Sequence, residues 1–323
     1  MVGLLQFSLQ AIVLDLMCKF SVVIPFYNEE SSLPSLLVSL KAQSVQPNEY
    51  IFVDSLSSDN SVALINKWIS DNNFSNVTIL KDVDKTPATA KNQGILYSSF
   101  AYIIFLDCGL DFDSFLFENC LSSISDSSIG CYGSFGFHKT SYLDTVYSLI
   151  AFNYNNGISC IPGGIYNVSL FKIIGLFKPY RAGYDRYWRK DALKLNLKIK
   201  SLNAPNLFYS GVNFSDNFLG LLHKFFFYRL SGDFLRSTFP LSLLSFSVIF
   251  LFYLFPLSFV FYLLLRYFLT LKKSTKFLTL SKIFYYTPGI IFLIPILDII
   301  RVLSFALSSL RLSSFVLKQL KRV

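Results

Sequence analysis

Between residues 20 and 106, four short runs rich in β-branched and aromatic residues, 20–25, 50–53, 77–80 and 102–106, alternate with helical patterns at 32–43, 61–70 and 89–99. Strands separated by helices cannot pair as simple hairpins, so this alternation predicts βαβ units with right-handed crossovers and an open, mostly parallel sheet. In such a sheet the ligand site lies beyond the C-terminal ends of the strands. The residues there are Tyr27-Asn28-Glu29 after the first strand, Asp54 after the second, Asp82 after the third and Asp107 after the fourth. One aspartate closing a strand is ordinary turn chemistry. Four acidic strand ends at one sheet edge suggest a site for a polar ligand. Neither G-x-G-x-x-G after the first strand nor G-x-x-x-x-G-K-[ST] occurs, which argues against ordinary dinucleotide and P-loop sites.

The text around these positions is ordered. Ser21-Val-Val-Ile-Pro-Phe-Tyr-Asn-Glu-Glu30 comes first, then Ile51-Phe-Val-Asp-Ser-Leu-Ser-Ser-Asp-Asn-Ser61 and Thr86-Pro-Ala-Thr-Ala-Lys-Asn-Gln-Gly94. Ile103-Ile-Phe-Leu-Asp-Cys-Gly109, Pro162-Gly-Gly-Ile-Tyr166 and Gly183-Tyr-Asp-Arg-Tyr-Trp188 follow. Taken together over residues 20–202, these six motifs resemble the inverting family 2 glycosyltransferases, whose fold is GT-A, a Rossmann-like open sheet with flanking helices.

That resemblance implies a nucleotide-diphosphate sugar as donor and an acceptor hydroxyl that displaces the nucleotide from the opposite face. It places Pro25, Tyr27, Asn28, Glu29 and Asp54 around the nucleoside, and Lys91, Asn92 and Asp107 near the diphosphate. Gly163, Gly164, Tyr184 and Trp188 fall on the acceptor side, with Asp185 as the general base. A base beside Tyr and Trp gains basicity by desolvation; the plainer role for Asp185 is a helix-surface partner of Arg189 or Arg181. Lys91 likewise has a plain alternative, a solvated helix face.

The chain departs from the family pattern at the metal motif. Where the family has D-x-D, Asp107-Cys108-Gly109 stands here, so the second carboxylate is missing. A divalent cation, Mg²⁺ or Mn²⁺, is still expected, held by Asp107 with phosphate oxygens and water, and with Asp111 or Asp113 as further ligands. Lys91 is placed to take over part of the cation's role. The second Asp of the family's V-D-D is Ser55. These losses keep open an alternative function, a non-catalytic nucleotide-sugar-binding or scaffold subunit.

After residue 215 the character of the chain changes. Residues 216–323 hold 13 basic and 3 acidic side chains, against 16 and 17 before them, so the formal charge of +9 belongs to the C-terminal part. Residues 241–265 carry no charge, enough for a helix crossing a hydrocarbon core of roughly 30 Å, with a kink expected at Pro256. A second candidate, 283–310, is interrupted by Asp298 and Arg301 on one helical face. Phe and Tyr, 35 and 19 in number, and a hydrophobic content of 53% exclude disorder and favour a membrane-associated protein. Basic residues that flank apolar segments suit anionic headgroups rather than nucleic acid, which is not expected as a partner.

The expected organisation is therefore a leader at 1–16, with Met17 as the natural start, a GT-A domain at 17–215, a basic connector at 216–240, two membrane helices within 241–310 and a basic amphipathic tail at 311–323. The catalytic domain is expected at the cytoplasmic face of the inner or plasma membrane, acting on a lipid-linked or surface-polysaccharide acceptor. Two full spans would carry Arg266, Lys272, Lys273, Lys276 and Lys282 to the far side, against the positive-inside rule, so shallow or re-entrant helices are the alternative. Five cysteines without a C-x-x-C pair predict free thiols, and His138 and His223 have no ligand spacing.

Overall fold

The computed structural model describes residues 19–82, 84, 86–124, 129–137, four positions within 142–149, 158–180, 183–197, 199–202, 206–209, 256–274 and 280–309. The leader, His138, Arg181, His223, the connector, residues 241–255 and the tail lie outside these. The chain divides into two compact units, one formed by 1–136 and 156–211, the other by 137–155 and 212–323.

In the first unit, β1 (Phe20–Phe26), β2 (Glu49–Asp54), β3 (Val77–Lys81) and β4 (Tyr102–Phe105) alternate with α1 (Leu33–Lys41), α2 (Ser61–Asn72) and α3 (Pro87–Tyr97). All four strands are parallel, in the order β3-β2-β1-β4. β1 is buried along its whole length because helices cover both faces, which explains its unbroken apolar text. Leu33, Leu36, Leu37 and Leu40 give α1 a single buried stripe. On the other face, α3 starts with a capping box between Thr86 and Thr89. Gly94 lets that helix lie directly on β1, since a Cβ there would stand 2.3 Å from a methyl of Val23. This close approach draws the polar residues of α3 into the interior.

Beyond β4 the sheet becomes largely antiparallel. β5 (Leu110–Asp111), α4 (Leu116–Ser122), β6 (Gly130–Phe137), β7 (Ile158–Asn167), α5 (Ser169–Ile173), α6 (Tyr184–Lys194), β8 (Lys200–Ser201) and β9 (Leu207–Tyr209) follow. Among the described residues nine strands form one sheet, continuing β4-β7-β6-β9-β5 with β8 on β6. The expected parallel βαβ half is present, and β7 runs antiparallel to both β4 and β6. The strand order reverses at β1, flanked by β2 and β4, so the edge beyond Phe26, Asp54 and Phe105 is the switch point where such sheets bind ligands.

The second unit contains α7 (Pro256–Ser274) and α8 (Leu280–Ser309). They run antiparallel, Tyr262 meeting Asp298 while Tyr267 meets Thr287. α8 includes Ser281–Ile300, a stretch with mean hydropathy 1.9 that is long and apolar enough to cross a membrane. Tyr142 belongs to this unit too: its hydroxyl accepts from the Gly289 amide at 3.0 Å and donates to the Tyr285 carbonyl at 3.1 Å.

Candidate functional site

The β1–α1 and β2–α2 loops are latched together. Asp54, buried at the end of β2, accepts a hydrogen bond from the Ser57 amide at 2.8 Å. Asn28, in the left-handed region at φ 53, donates its amide to Ser57 Oγ and accepts from the Ser58 amide. The Glu29 amide donates to Ser61 Oγ, and the Glu29 carboxylate takes the Ser32 hydroxyl. Glu30 accepts from Asn60 twice, and its own amide donates to Asp59. These bonds fix the backbone beside Asp54 and leave Tyr27 exposed at the sheet edge.

Lys91 is fully buried on α3, which rules out the solvated helix face. Its Nζ lies 2.5 Å from Asp107 Oδ1 and 5.5 Å from the centre of the Tyr184 ring. Asp107 follows β4 and keeps 28% of its side chain exposed, so the pair is sealed below and open above. A Cβ on Gly109, at φ +73, would meet nothing within 4 Å: the position of the absent second carboxylate is open space.

Asp185 sits in the first turn of α6, behind Gly183 at φ 77, where the helix dipole favours a carboxylate. Two cysteines report on the surrounding field. Burial pushes the Cys160 thiol well up, and the charges of Asp107 and Asp185 push it further while Lys91 opposes them. Cys108 is raised by burial and then by Glu29 and Asp107, again against Lys91. It is Lys91, between the Asp107 carboxylate and the ring of Tyr184, the neighbour of Asp185 in the chain, that brings the third and sixth sequence motifs together with the fourth. Arg189, the expected surface partner of Asp185, lies over the Tyr132 ring at 4.8 Å.

Other expected residues have structural duties. Both ends of the Asn92 amide are engaged by the Phe177 backbone, at 2.7 and 2.9 Å, tying α3 to the segment that precedes α6. Trp188 is core: its indole donates to the Gly175 carbonyl at 2.9 Å and its ring stacks on Phe171. Gly163 and Gly164 occupy an irregular stretch of β7 where protein neighbours already demand glycine. A Cβ on Gly163 would stand 2.5 Å from Leu207, and one on Gly164 2.6 Å from the Cys131 carbonyl oxygen.

Asp82, which the sequence groups with the acidic strand ends of a polar-ligand site, is instead turned into the protein interior. It is fully buried and accepts from Thr89 Oγ1 at 2.7 Å and Gln93 Nε2 at 3.0 Å, so it holds the first turns of α3 and with them Lys91. The signal was its place after β3, but its partners lie on a helix whose polar residues look solvent-facing.

For a divalent cation the donor set is thin. Among the described residues no three His, Cys, Asp or Glu side chains gather into a metal-holding group. One Asp107 oxygen already faces Lys91. What fits is a cation carried by diphosphate oxygens and water, with Asp107 as one protein ligand, as hard cations are commonly held beside phosphates.

Residues 21–159 match the profile of a family described as Glycosyl transferase family 2. The chain is 54% identical over 50 residues to the undecaprenyl-phosphate 4-deoxy-4-formamido-L-arabinose transferase of Serratia proteamaculans (strain 568), a stretch covering 15% of each protein. It is 30% identical over 89 residues to the uncharacterized glycosyltransferase YibD of Escherichia coli (strain K12), which covers 28% of this chain and 25% of that one. The matched stretches thus span a quarter or less of these relatives. Among solved structures, the mannosyltransferase PcManGT from Pyrobaculum calidifontis, in complex with GDP-Man and Mn2+, has a TM-score of 0.55 at 11% identity, covering 90% of this chain and 87% of that one. That likeness is one of fold.

Proposed function

We propose, from the match of residues 21–159 to the profile described as Glycosyl transferase family 2, that this chain is an inverting glycosyltransferase moving a sugar from a nucleotide-diphosphate donor to a lipid-linked or surface-polysaccharide acceptor. The observation that carries this reading is the sealed Lys91–Asp107 pair opening at the switch point of the sheet, with Tyr184, the neighbour of Asp185, 5.5 Å from the same ammonium.

In this reading Asp54 and the latched loops around Tyr27, Asn28 and Glu29 hold the nucleoside, and Lys91 faces the diphosphate. Asp185 accepts the proton of the acceptor hydroxyl as that oxygen forms its bond to the anomeric carbon from the face opposite the diphosphate. The bond from the anomeric carbon to the diphosphate oxygen breaks, and its electron pair leaves with the nucleotide, where Lys91 stabilises the developing charge. Asp107 would be the protein ligand of a divalent cation bound with the donor, which would supply further charge neutralisation of the leaving diphosphate. Asn92, Trp188, Gly163 and Gly164 act by positioning, since their groups are engaged within the protein, and Tyr184 forms the wall over Lys91.

The acceptor class is supported by the arabinose transferase relative, whose name specifies undecaprenyl phosphate. The apolar stretch in α8 supports a site of action at a membrane, with the catalytic unit on the cytoplasmic face where nucleotide sugars are made. A screen of nucleotide sugars for binding and for turnover on detergent-purified full chain tests the proposal. Binding of one donor with release of its nucleotide is the expected result. Binding without release under any acceptor would instead identify a non-catalytic donor-binding subunit, the reading that the missing carboxylate at Gly109 favours.

A further inference from the structure

α7 and α8 have their polarity inside out. Between positions 260 and 269 of α7 every exposed side chain is apolar: Val260, Phe261, Leu264, Leu265, Phe268 and Leu269, at 37 to 73% exposure. On α8 the exposed side chains among the described residues from 284 to 300, and Leu303 beyond them, are aromatic, aliphatic or proline, among them Phe284, Tyr285, Ile291, Phe292 and Ile299. The polar groups are turned inward. Asp298 and Arg266 are buried and joined by two hydrogen bonds, Nε to Oδ2 at 2.7 Å and Nη2 to Oδ1 at 3.1 Å, and the Tyr262 hydroxyl also donates to Asp298. Tyr267 and Thr287 share a further hydrogen bond between the helices, and the buried Thr270 hydroxyl donates to the Arg266 carbonyl.

A helix pair in water places its charges outward and its apolar stripe inward. The reverse arrangement is what a hydrocarbon solvent selects, because ionisable groups there face the bundle interior and pair with one another. The dimensions agree. From Phe284 to Leu303 the apolar face of α8 is about 29 Å long at 1.5 Å per residue, close to the roughly 30 Å of a bilayer core. Lys272 and Lys282 are exposed at the ends of the helices nearest the 275–279 connection, where cations suit anionic headgroups.

We infer that α7 and α8 sit in the bilayer as one pre-paired hairpin, its outer faces covered by lipid acyl chains and its Arg266–Asp298–Tyr262 clasp shielded between the helices. The pairing also alters the charge count behind the expected topology. Arg266 is an internal partner rather than a headgroup-facing residue, and Asp298 is paired with it across the helices, where the sequence had set it beside Arg301 on one face. The inference rests on the membrane placement proposed above and is independent of the transfer chemistry.

The test uses full-length protein in vesicles of phosphatidylethanolamine and phosphatidylglycerol. Phe268→Trp and Phe292→Trp each add an outward reporter, and unsubstituted protein supplies the background from Trp68 and Trp188. The added emission is expected to be lost when the lipids carry brominated acyl chains and to survive aqueous iodide. Quenching by iodide while the protein still sediments with salt-washed vesicles would overturn the hairpin and leave the membrane placement to another segment. Failure to sediment would instead overturn the membrane placement itself. Protection from both quenchers, with dimers at the ultracentrifuge, would show that a second copy covers these faces and would also overturn the inference. For the clasp, Asp298→Asn is expected to lower the yield of vesicle-bound protein, and Arg266→Met combined with Asp298→Leu to restore it, since an apolar pair replaces a buried ion pair without leaving a charge unmatched. Unchanged yield for Asp298→Asn, or a double variant no better than the single one, would overturn the clasp.

Discussion

Each unit of this chain contains a buried pair of a basic side chain and an aspartate, and the two pairs are closed to different degrees. Lys91 and Asp107 have side-chain exposures of 0% and 28%; Arg266 and Asp298 have 9% and 2%. The first pair has one point of contact and an open side at the sheet edge. The second is a two-point clasp with a tyrosine hydroxyl as a third contact. A guanidinium suits a permanent fork on a carboxylate, whereas an ammonium is a compact point charge that can turn to a new anion when one arrives. The comparison teaches that burial of a charge pair does not by itself say function or structure. What distinguishes them is whether one partner keeps a route to a ligand.

The largest effect expected from the open pair's neighbourhood is at Asp185. Asp185→Asn keeps the shape but cannot accept the acceptor's proton, so turnover should fall by roughly 10² to 10⁴-fold, with donor affinity by calorimetry nearly unchanged. A variant that keeps its rate would make Asp185 a helix-terminus residue and remove the base from this edge.

Next in size is Lys91→Met, which leaves Asp107 unpaired and the diphosphate without its ammonium. Losing one such stabilising group is expected to lower turnover by about 10² to 10³-fold, and donor binding should weaken as well, unlike the Asp185 variant. If melting temperature drops and donor affinity does not, the open pair is structural like its counterpart, and the contrast between the units disappears.

Asp107→Ala and chelation sharpen the contrast further. With one protein ligand for a cation and a lysine beside it, chelation by EDTA should reduce turnover without abolishing it, and Asp107→Ala should weaken donor binding. Full activity in EDTA would assign neutralisation to Lys91 alone. Complete loss would mean that the cation has ligands beyond Asp107.

Much of the first unit is legible in the sequence because its elements carry their own periods. β1, β2, β3 and β4 start and end within two residues of their expected bounds, and α1 shows its four leucines at helical spacing. The two-residue strands Leu110–Asp111 and Lys200–Ser201 have no period at all. They exist only through pairing with distant residues, which no local pattern announces. The same holds for the site. The motifs locate Asp54, Lys91, Asp107 and Asp185, yet the depth of Lys91 follows from Gly94 against Val23 and from Asp82 beneath Thr89, contacts made between elements. In the second unit, the uncharged run announces apolar helices, but not that Arg266 turns inward to meet Asp298.

The smallest expected effect comes from a third group of ion pairs, which calibrates the other two. Asp191 on α6 accepts from Lys194 at 3.1 Å and Lys178 at 3.3 Å, and both lysines are more than half exposed. Hydrogen bonds first from Lys194 and then from Lys178 hold the Asp191 carboxyl below its ordinary range. A carboxylate with a lowered folded pKa contributes stability that is present above its unfolded pKa and lost as pH falls through the folded value. The contribution should therefore be intact at neutral pH and vanish in acid. Because water and salt screen an exposed pair, Asp191→Asn should cost only about 0.2 to 1 kcal/mol in denaturant unfolding at neutral pH, with no change in turnover, and the difference from unsubstituted protein should shrink on acidification. A loss as large as that expected for breaking a buried pair, about 3 to 5 kcal/mol, would mean that exposure is a poor guide to the worth of an ion pair in this chain, and the distinction between its open and closed pairs would fall with it.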